Sequence, residues 1–214
     1  MGRIKKGILG GFSGKVGTVV GANWKSISYM RSLPQKVRNP RTEAQRKQRG
    51  KFALVMALLK PLIAVLRIGW KNVAKNQSPT NSAMAYTLAN AVIGTFPDFK
   101  IDYTKVLISR GGLLPAFNGA VDFSAGKLNL TWDNNSGIST AKATDKALIV
   151  VLNSEKSETV SLMEGVNRAK GSHAVTVPNG WAFNKVNVYL GFVSDDGKEV
   201  ANSVHLGEVT IPNA

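Results

Sequence analysis

Residues 31–52, RSLPQKVRNPRTEAQRKQRGKF, decide how the chain divides. They join a glycine-rich opening to the first run with helical periodicity, and they hold the densest positive charge in the sequence. Pro34 and Pro40 favour an extended segment, because the residue before a proline is pushed out of the helical region. Thr42-Glu43-Ala44-Gln45 then fits a capping box, in which two side chains satisfy backbone amides at a helix start. The stretch therefore predicts a helix that begins near residue 42.

Downstream of this start, apolar residues recur every three or four positions, which predicts an amphipathic helix over about 42–76. Pro61 cannot donate a helical hydrogen bond, so we expect the helix to kink or divide there. Basic residues share another face of the same helix. They are Arg46, Arg49, Lys60, Arg67, Lys71 and Lys75. An ordinary solvated face normally carries both signs of charge, so this stripe favours a polyanion-binding surface.

A second helix is predicted over about 79–93. Ser78 suits its N-cap, Pro79 its first position and Gly94 its end. With the first helix it should form a helical hairpin. On the other side of the basic stretch, glycine-rich residues 2–21 and the β-prone runs VGTVVG and SISYM favour short strands, as a hairpin or an extended arm. Such an arm buries little within its own chain, so one alternative is that it becomes ordered only against a neighbouring chain.

After Phe96-Pro97 the period changes from helical to alternating, which is typical of an antiparallel sandwich. The predicted strands are KVLIS, KLNLTW, KALIVVLN, ETVSLM, HAVTVP, KVNVYLGFV and VHLGEVTI. Trp132, Tyr189 and Phe192 resemble the core aromatics of fibronectin type III and related immunoglobulin-like sandwiches. The predicted fold class is therefore α+β: a basic arm and helical hairpin in residues 1–97, then an immunoglobulin-like β-sandwich in residues 98–214.

A second resemblance covers the N-terminal half. The opening GRIKKGILGGFSGKVGTVVGANWKSISYMRSLP is followed by a spaced motif, Asn39-Pro40-x-Thr42-x-x-Gln45-x-x-x-Arg49-x-x-Phe52. Together they resemble a family of uncharacterised bacterial proteins. The motif core is more loosely similar to a pattern in phage- and prophage-associated proteins, which implies a virion-assembly role as one possibility. The resemblance carries no functional residues with it.

The charge is concentrated in the first third of the chain. Of 28 Lys and Arg, 17 lie in residues 1–76 with Glu43 as the single acid, whereas residues 77–214 hold 11 basic and 12 acidic groups. A field this one-sided attracts nucleic acid or another polyanion. The chain has no cysteine, which excludes disulfides and thiolate chemistry. No apolar run is long enough for a signal-peptide core or a membrane span, so neither is expected.

Catalytic patterns are sparse. His173 and His205 lie in separate predicted strands with no nearby carboxylate or nucleophile pattern, and we expect them to be surface or edge-strand residues. The acids show no paired spacing for metal or glycoside chemistry. Lys15 follows Gly14 as in a phosphate loop, but the hydroxyl and the earlier glycine of that motif are missing. The sequence therefore predicts no enzymatic activity, no cofactor, no metal and no small-molecule substrate.

Two functions remain open. The first is sequence-tolerant nucleic-acid binding, DNA or RNA, through phosphate contacts with possible base stacking. Its candidate residues are Lys5, Lys6, Lys15, Lys25, Arg31, Lys36, Arg38, Arg41, Arg46, Lys47, Arg49, Lys51, Trp24 and Tyr29. The second is a structural or assembly protein, a homo-oligomer whose arm packs between subunits and whose sandwich is displayed. The expected location is the cytoplasm or a phage-like particle.

Overall fold

The computed structural model describes residues 3–4, 10–24, 27–33, 39, 41–73, 77–163 and 165–212. The chain forms two compact units, residues 1–42 and residues 43–214. The first contains a four-stranded antiparallel sheet, and the second combines helices with sheets of four, three and two strands. The predicted α+β class with a C-terminal β-sandwich is confirmed.

The N-terminal unit is a sheet with strand order β1-β2-β3-β4. Its strands are β1 (Arg3–Ile4), β2 (Phe12–Val16), β3 (Val19–Trp24) and β4 (Ile27–Ser32). Gly17 and Thr18 connect β2 to β3, and Gly17 has a φ of 57°, as a two-residue turn with glycine at its first central position requires. The hairpin predicted for the glycine-rich opening is therefore confirmed.

The helices of the second unit are α1 (Glu43–Leu59), α2 (Ile63–Gly69) and α3 (Pro79–Asn90). A 3-10 turn, Lys60–Leu62, contains Pro61 and separates α1 from α2, which confirms the predicted break. The Asn81 backbone N–H donates to Ser78 Oγ over 3.2 Å, so the predicted cap of α3 is confirmed as well. α3 packs against both α1 and α2.

The predicted end of the first helix at about residue 76 is wrong, because α2 ends at Gly69. The Gly69 carbonyl accepts a hydrogen bond from the Arg110 backbone N–H over 2.8 Å. A Cβ atom at Gly69 would lie 2.4 Å from the Ile108 carbonyl oxygen, so only glycine allows this close approach. The long-range contact takes the carbonyl that a continuing helix would have used.

The predicted end of the second helix at about residue 93 is also wrong. Helix α3 ends at Asn90 because the next residues form β5 (Val92–Ile93), which pairs with β6 (Lys100–Ile101). Gly94 follows with a φ of 86°, so the residue expected to end the helix instead turns the chain between these short strands.

Seven strands form the sandwich. They are β7 (Ala120–Ser124), β8 (Lys127–Thr131), β9 (Lys146–Asn153), β10 (Glu158–Leu162), β11 (Ser172–Thr176), β12 (Lys185–Val193) and β13 (Val204–Thr210). One sheet has the order β10-β9-β12-β13 and the other β11-β8-β7. All pairings within them are antiparallel.

The strand predicted at KVLIS (105–109) is wrong. Tyr103–Lys105 forms a 3-10 turn, and the backbone N–H groups of Ile108 and Ser109 both donate to the Ser203 hydroxyl instead of joining a strand ladder. The strand missed in its place is β7, which pairs with β8 across Ala125-Gly126. Both turn residues have positive φ, 49° and 74°, as a type I′ hairpin requires.

The core has three layers, with the β9 sheet in the middle. Leu148, Val150 and Leu152 pack in one buried cluster with the helices, whereas Ile149 and Val151 pack in another with the β7-β8-β11 sheet. A strand buried on both faces has a continuous apolar run, as KALIVVLN does. Helices and sandwich thus share a core, and a division of the chain at residue 97 stays a prediction.

The three aromatic residues behind the sandwich resemblance lie inside this core. Trp132, Tyr189 and Phe192 are all buried. The rings of Trp132 and Phe192 meet edge to face with their centroids 6.0 Å apart, a favourable geometry for aromatic pairs. Trp132 and Phe192 therefore stabilise the predicted sandwich, whereas Tyr189 packs in the cluster that contains the helices.

By length and composition alone, the helical segment Glu43–Gly69 could cross a membrane, since its most apolar 18 residues have a mean hydropathy of 2.0. A core helix meets the same criteria. Here Val55, Leu59, Leu62 and Leu66 are fully buried against α3 and the β9 sheet. The absence of membrane insertion remains a prediction, and the apolar face of this segment has its partner within the chain.

Candidate nucleic-acid interface

The candidate residues fall into three groups. Five lie outside the described residues: Lys5, Lys6, Lys25, Lys36 and Arg38. Five lie in the N-terminal unit: Lys15, Trp24, Tyr29, Arg31 and Arg41. The other four lie on α1: Arg46, Lys47, Arg49 and Lys51. The structure therefore describes two separate surfaces, one in each compact unit.

Four of the N-terminal candidates share one face of the sheet. Lys15 pairs with Val20, which pairs with Arg31, so the two cations lie in one row across β2, β3 and β4. Directly paired residues in an antiparallel sheet project to the same side, and so do residues two apart along a strand. Tyr29 is therefore on the same side as Arg31, two positions along β4.

Trp24 completes this face. It lies four residues from Val20 along β3, which returns it to the same side, and it pairs with Ile27 on β4. The Trp24 side chain is 52% exposed and the Tyr29 side chain 46% exposed. We call the surface formed by Lys15, Trp24, Tyr29 and Arg31 the cation-aromatic face. It has a pair of positive charges at one end and two exposed aromatic rings along the rest.

The opposite face of this sheet has a different character. Phe12 covers Gly21, where a Cβ atom would lie 2.5 Å from the Phe12 ring. Asn23 donates a hydrogen bond to Ser28 Oγ over 3.2 Å on this side. Val16, Val19 and Met30 are its large exposed residues. This apolar face carries none of the candidate residues that the structure describes.

Arg41 is not part of the sheet. It is exposed and has a φ of 49°, in the left-handed region that non-glycine residues seldom adopt. It directly precedes Thr42 and α1, so it lies in the basic connection between the two units. The sequence grouped Arg41 with the other phosphate-contacting candidates, and its exposure leaves its side chain accessible.

On α1 the four candidates differ. Lys47 pairs with Glu43, with Nζ and Oε1 2.8 Å apart, and this hydrogen bond lowers the pKa of the Glu43 carboxyl. The Lys51 ammonium lies over the Phe99 ring, 5.2 Å from its centroid. Arg46 and Arg49 are exposed. Lys47 and Lys51 therefore contact side chains of the second unit, and the side chains of Arg46 and Arg49 are exposed to solvent.

The exposed face of the helical segment extends beyond these candidates. Lys60 and Arg67 are exposed and recur at helical spacing from Arg46 and Arg49, with exposed alanines between them. Both side chains are exposed although the Pro61 turn divides the helix. Helical periodicity already placed Lys60 and Arg67 in the basic stripe, so that signal could have added them to the candidate site. We call Arg46, Arg49, Lys60 and Arg67 the helical stripe.

The two units differ in charge as well as in fold. Residues 1–42 contain nine Lys and Arg and no acid, a formal charge of +9, whereas all 13 acids lie in residues 43–214. In a small sheet without carboxylates, every exposed cation adds to a field of one sign. The cation-aromatic face is therefore the more one-sided of the two surfaces.

The histidines lie in edge strands, as predicted. His173 is in β11 and His205 in β13, and burial lowers the pKa of both imidazoles. His205 Nε2 is 2.9 Å from Asn187 Oδ1. Among the residues that the structure describes, no group of three or more His, Asp or Glu side chains is arranged to hold a metal ion.

A comparison with protein-family models identifies a family that covers most of this chain. Residues 11–207 match a family of unknown function, DUF6266. The match includes residues of both compact units and covers the cation-aromatic face, the helical stripe and most of the sandwich. No curated protein matches the chain.

Proposed function

Because the chain belongs to the DUF6266 family, whose function is unknown, its role must be argued from its own residues, and we propose that it is a non-enzymatic nucleic-acid-binding protein. Binding is largely sequence-tolerant, because the contacts go to phosphates and not to base edges. The observation that carries this proposal is the cation-aromatic face, where two cations and two exposed aromatics share one side of an acid-free sheet.

The helical stripe supplies a second cationic surface. Arg46 and Arg67 are 21 residues apart, which corresponds to roughly 30 Å along a helix. That length is similar to one turn of duplex DNA, so the stripe can follow a phosphate backbone over several nucleotides. Arginine suits this role because its planar guanidinium binds phosphate oxygens in a bidentate manner.

The chemistry of this role requires no catalytic group. Cations neutralise phosphates and release condensed counterions, which favours binding without any covalent step. The proposal accordingly includes no cofactor, no metal and no small-molecule substrate. The location we propose is the cytoplasm or a particle that contains nucleic acid.

The direct test replaces the cations of the sheet. We expect Lys15→Ala with Arg31→Ala to lower the affinity for labelled single-stranded and duplex DNA and RNA by roughly tenfold or more at low salt, because two phosphate contacts are lost. Fluorescence anisotropy with the full chain measures this. The matched control is Lys127→Ala with Lys198→Ala, which removes the same charge from exposed positions of the second unit.

Equal affinities for the two double variants would contradict a phosphate-binding role for the sheet. The same experiment with the unsubstituted chain tests the proposal as a whole. If that chain fails to bind any of the four probes at low salt, nucleic-acid binding is wrong and the positive charge serves protein assembly.

A second candidate, favoured by a different observation, is a structural or assembly role. The N-terminal sheet exposes Val16, Val19 and Met30 on its apolar face, and its described residues belong to neither buried core cluster. A small sheet of this kind is marginally stable alone and gains stability by packing against a neighbour. A virion or particle component with phage-like ancestry would use such an arm between subunits.

This alternative predicts an oligomer held by apolar contacts. We expect a mass above the 22.9 kDa of one chain in sedimentation at roughly 1 M NaCl, because screening weakens charge contacts and not apolar ones. Met30→Lys should dissociate it, whereas Lys127→Ala should not. A monomer at every concentration would contradict the assembly role and leave nucleic-acid binding unaffected.

A further inference from the structure

We propose that the cation-aromatic face binds single-stranded nucleic acid by stacking unpaired bases on Trp24 and Tyr29 while Lys15 and Arg31 contact the backbone, an inference that rests on the proposed function. Proteins that bind single strands without sequence preference combine a cationic track with aromatic side chains that stack on bases. Both parts are present here on one side of one sheet.

The strand register places the two aromatic side chains at a spacing that fits successive bases of an extended single strand. Tyr29 lies two residues from Ile27, the residue that pairs with Trp24, so Trp24 and Tyr29 are diagonal neighbours on adjacent strands. Such neighbours are about 7–8 Å apart. This exceeds the 3.4 Å step of one strand in a duplex, so successive bases reach both rings only when the strand is extended.

The two cations lie close enough to the rings for one strand to contact both. Arg31 is two residues beyond Tyr29 on β4, which is about 7 Å along the strand. Lys15 is two strands across from Arg31, at about 10 Å. A backbone that passes the row of cations therefore places its next bases over Tyr29 and then Trp24.

A duplex fits this face less well. The bases of a duplex are stacked on one another, so their faces are covered and the two rings have nothing to stack on. Reading a groove requires donors and acceptors for base edges, such as Asn, Gln or Arg. Between the cation row and Trp24 this face presents Ala22 and Tyr29, and Ile27 lies beside Trp24. Of these three side chains, those of Ala22 and Ile27 are wholly apolar.

The exposed rings also provide a direct spectroscopic signal. The chain has four tryptophans, and Trp70, Trp132 and Trp181 are at most 4% exposed. Trp24 is the exposed one, at 52%. Stacking of a base on Trp24 should therefore quench the solvent-accessible part of the fluorescence and shield it from acrylamide.

The test compares two double variants of the full chain. One carries Trp24→Ala and Tyr29→Ala, and the control carries Phe117→Ala and Phe183→Ala, which removes two exposed aromatic side chains from the second unit. The probes are labelled oligothymidine and a DNA duplex of the same length. We expect the aromatic variant to lose roughly 25-fold or more in single-strand affinity, since each stacked base contributes roughly 5- to 150-fold. Its duplex affinity should change by less than about threefold, and the control should retain both affinities.

Conservative variants distinguish a loss of stacking from a defect in folding. Trp24→Phe with Tyr29→Phe keeps both rings, so most of the single-strand affinity should return while the oligothymidine-dependent quenching disappears with the indole. A parallel loss for duplex and single strand, or no quenching of the unsubstituted chain, would overturn the stacking role and leave electrostatic binding standing. No binding of the unsubstituted chain to either probe would overturn both proposals.

Discussion

Raising the salt concentration from 50 to 200 mM should lower the affinity of the full chain for nucleic acid by on the order of 10³ to 10⁵. This range corresponds to six to ten phosphate contacts, each of which releases condensed counterions. The described residues supply seven exposed cations: Lys15 and Arg31 on the sheet, Arg41 in the connection, and the four residues of the helical stripe. Fluorescence anisotropy at a series of salt concentrations measures the slope directly.

Substitutions in the helical stripe separate its contribution to the salt dependence of binding from the contribution of the sheet. Arg46→Ala, Lys60→Ala and Arg67→Ala together should flatten the plot of log affinity against log salt by about 3, since each lost phosphate contact reduces its slope by about 1. Three exposed lysines of the second unit, Lys127, Lys170 and Lys198, form the charge-matched control. An unchanged slope in the helical variant would remove the stripe from the interface, and a flat response of the unsubstituted chain would contradict phosphate binding altogether.

Local signals in the sequence were sufficient for most of the helices and strands. Pro61 and Ser78 act through the backbone of their own neighbourhood, so their effects on the helices could be predicted. The end of α2 could not, because Gly69 is fixed by Ile108 and Arg110, about forty residues away. KVLIS has the composition of a strand, but a side chain, the Ser203 hydroxyl, takes the place of its ladder partner.

The sequence was sufficient to identify the candidate residues, but not to predict which of them share one face of the sheet. Tyr29 and Arg31 are two apart and must share a side of any strand. Placing Lys15 and Trp24 on that side requires the register, which depends on where the chain turns. With seven glycines in residues 2–21, several turns were equally plausible. A one-residue shift would have moved Lys15 to the other face.

The sequence also gave no sign of the ion pair inside the sandwich. Arg168 is fully buried, and its Nε donates to Asp145 Oδ2 over 3.0 Å. Its other nitrogens donate to Asn135 Oδ1 and to the Leu114 carbonyl, over 2.7 and 2.9 Å. The guanidinium carbon lies 3.8 Å from the centroid of the Phe192 ring. Charged residues are seldom fully buried, so composition and periodicity favour placing Arg168 on the surface.

Replacing Arg168 by methionine should lower the free energy of unfolding by about 3–5 kcal/mol, because Asp145 would remain buried without its charge partner. Denaturant unfolding followed by circular dichroism measures the loss. The control is Lys185→Met, which breaks the exposed pair of Lys185 with Glu208, at 2.9 Å, and should cost at most about 1 kcal/mol. Similar costs for the two variants would contradict a structural role for the buried pair.

A double variant shows whether the stability lost in Arg168→Met comes from the uncompensated charge or from the changed shape of the side chain. Arg168→Met with Asp145→Leu removes both charges, so it should recover part of the stability that Arg168→Met alone loses, since apolar replacement of a whole buried pair is often neutral. Recovery should stay incomplete, because Asn135 Oδ1 and the Leu114 carbonyl lose their donors. If the double variant is less stable than the single one, packing around Phe192 and not the uncompensated charge determines the cost. In either case the cation-aromatic face lies in the other compact unit, so a variant that remains folded should bind nucleic acid as the unsubstituted chain does.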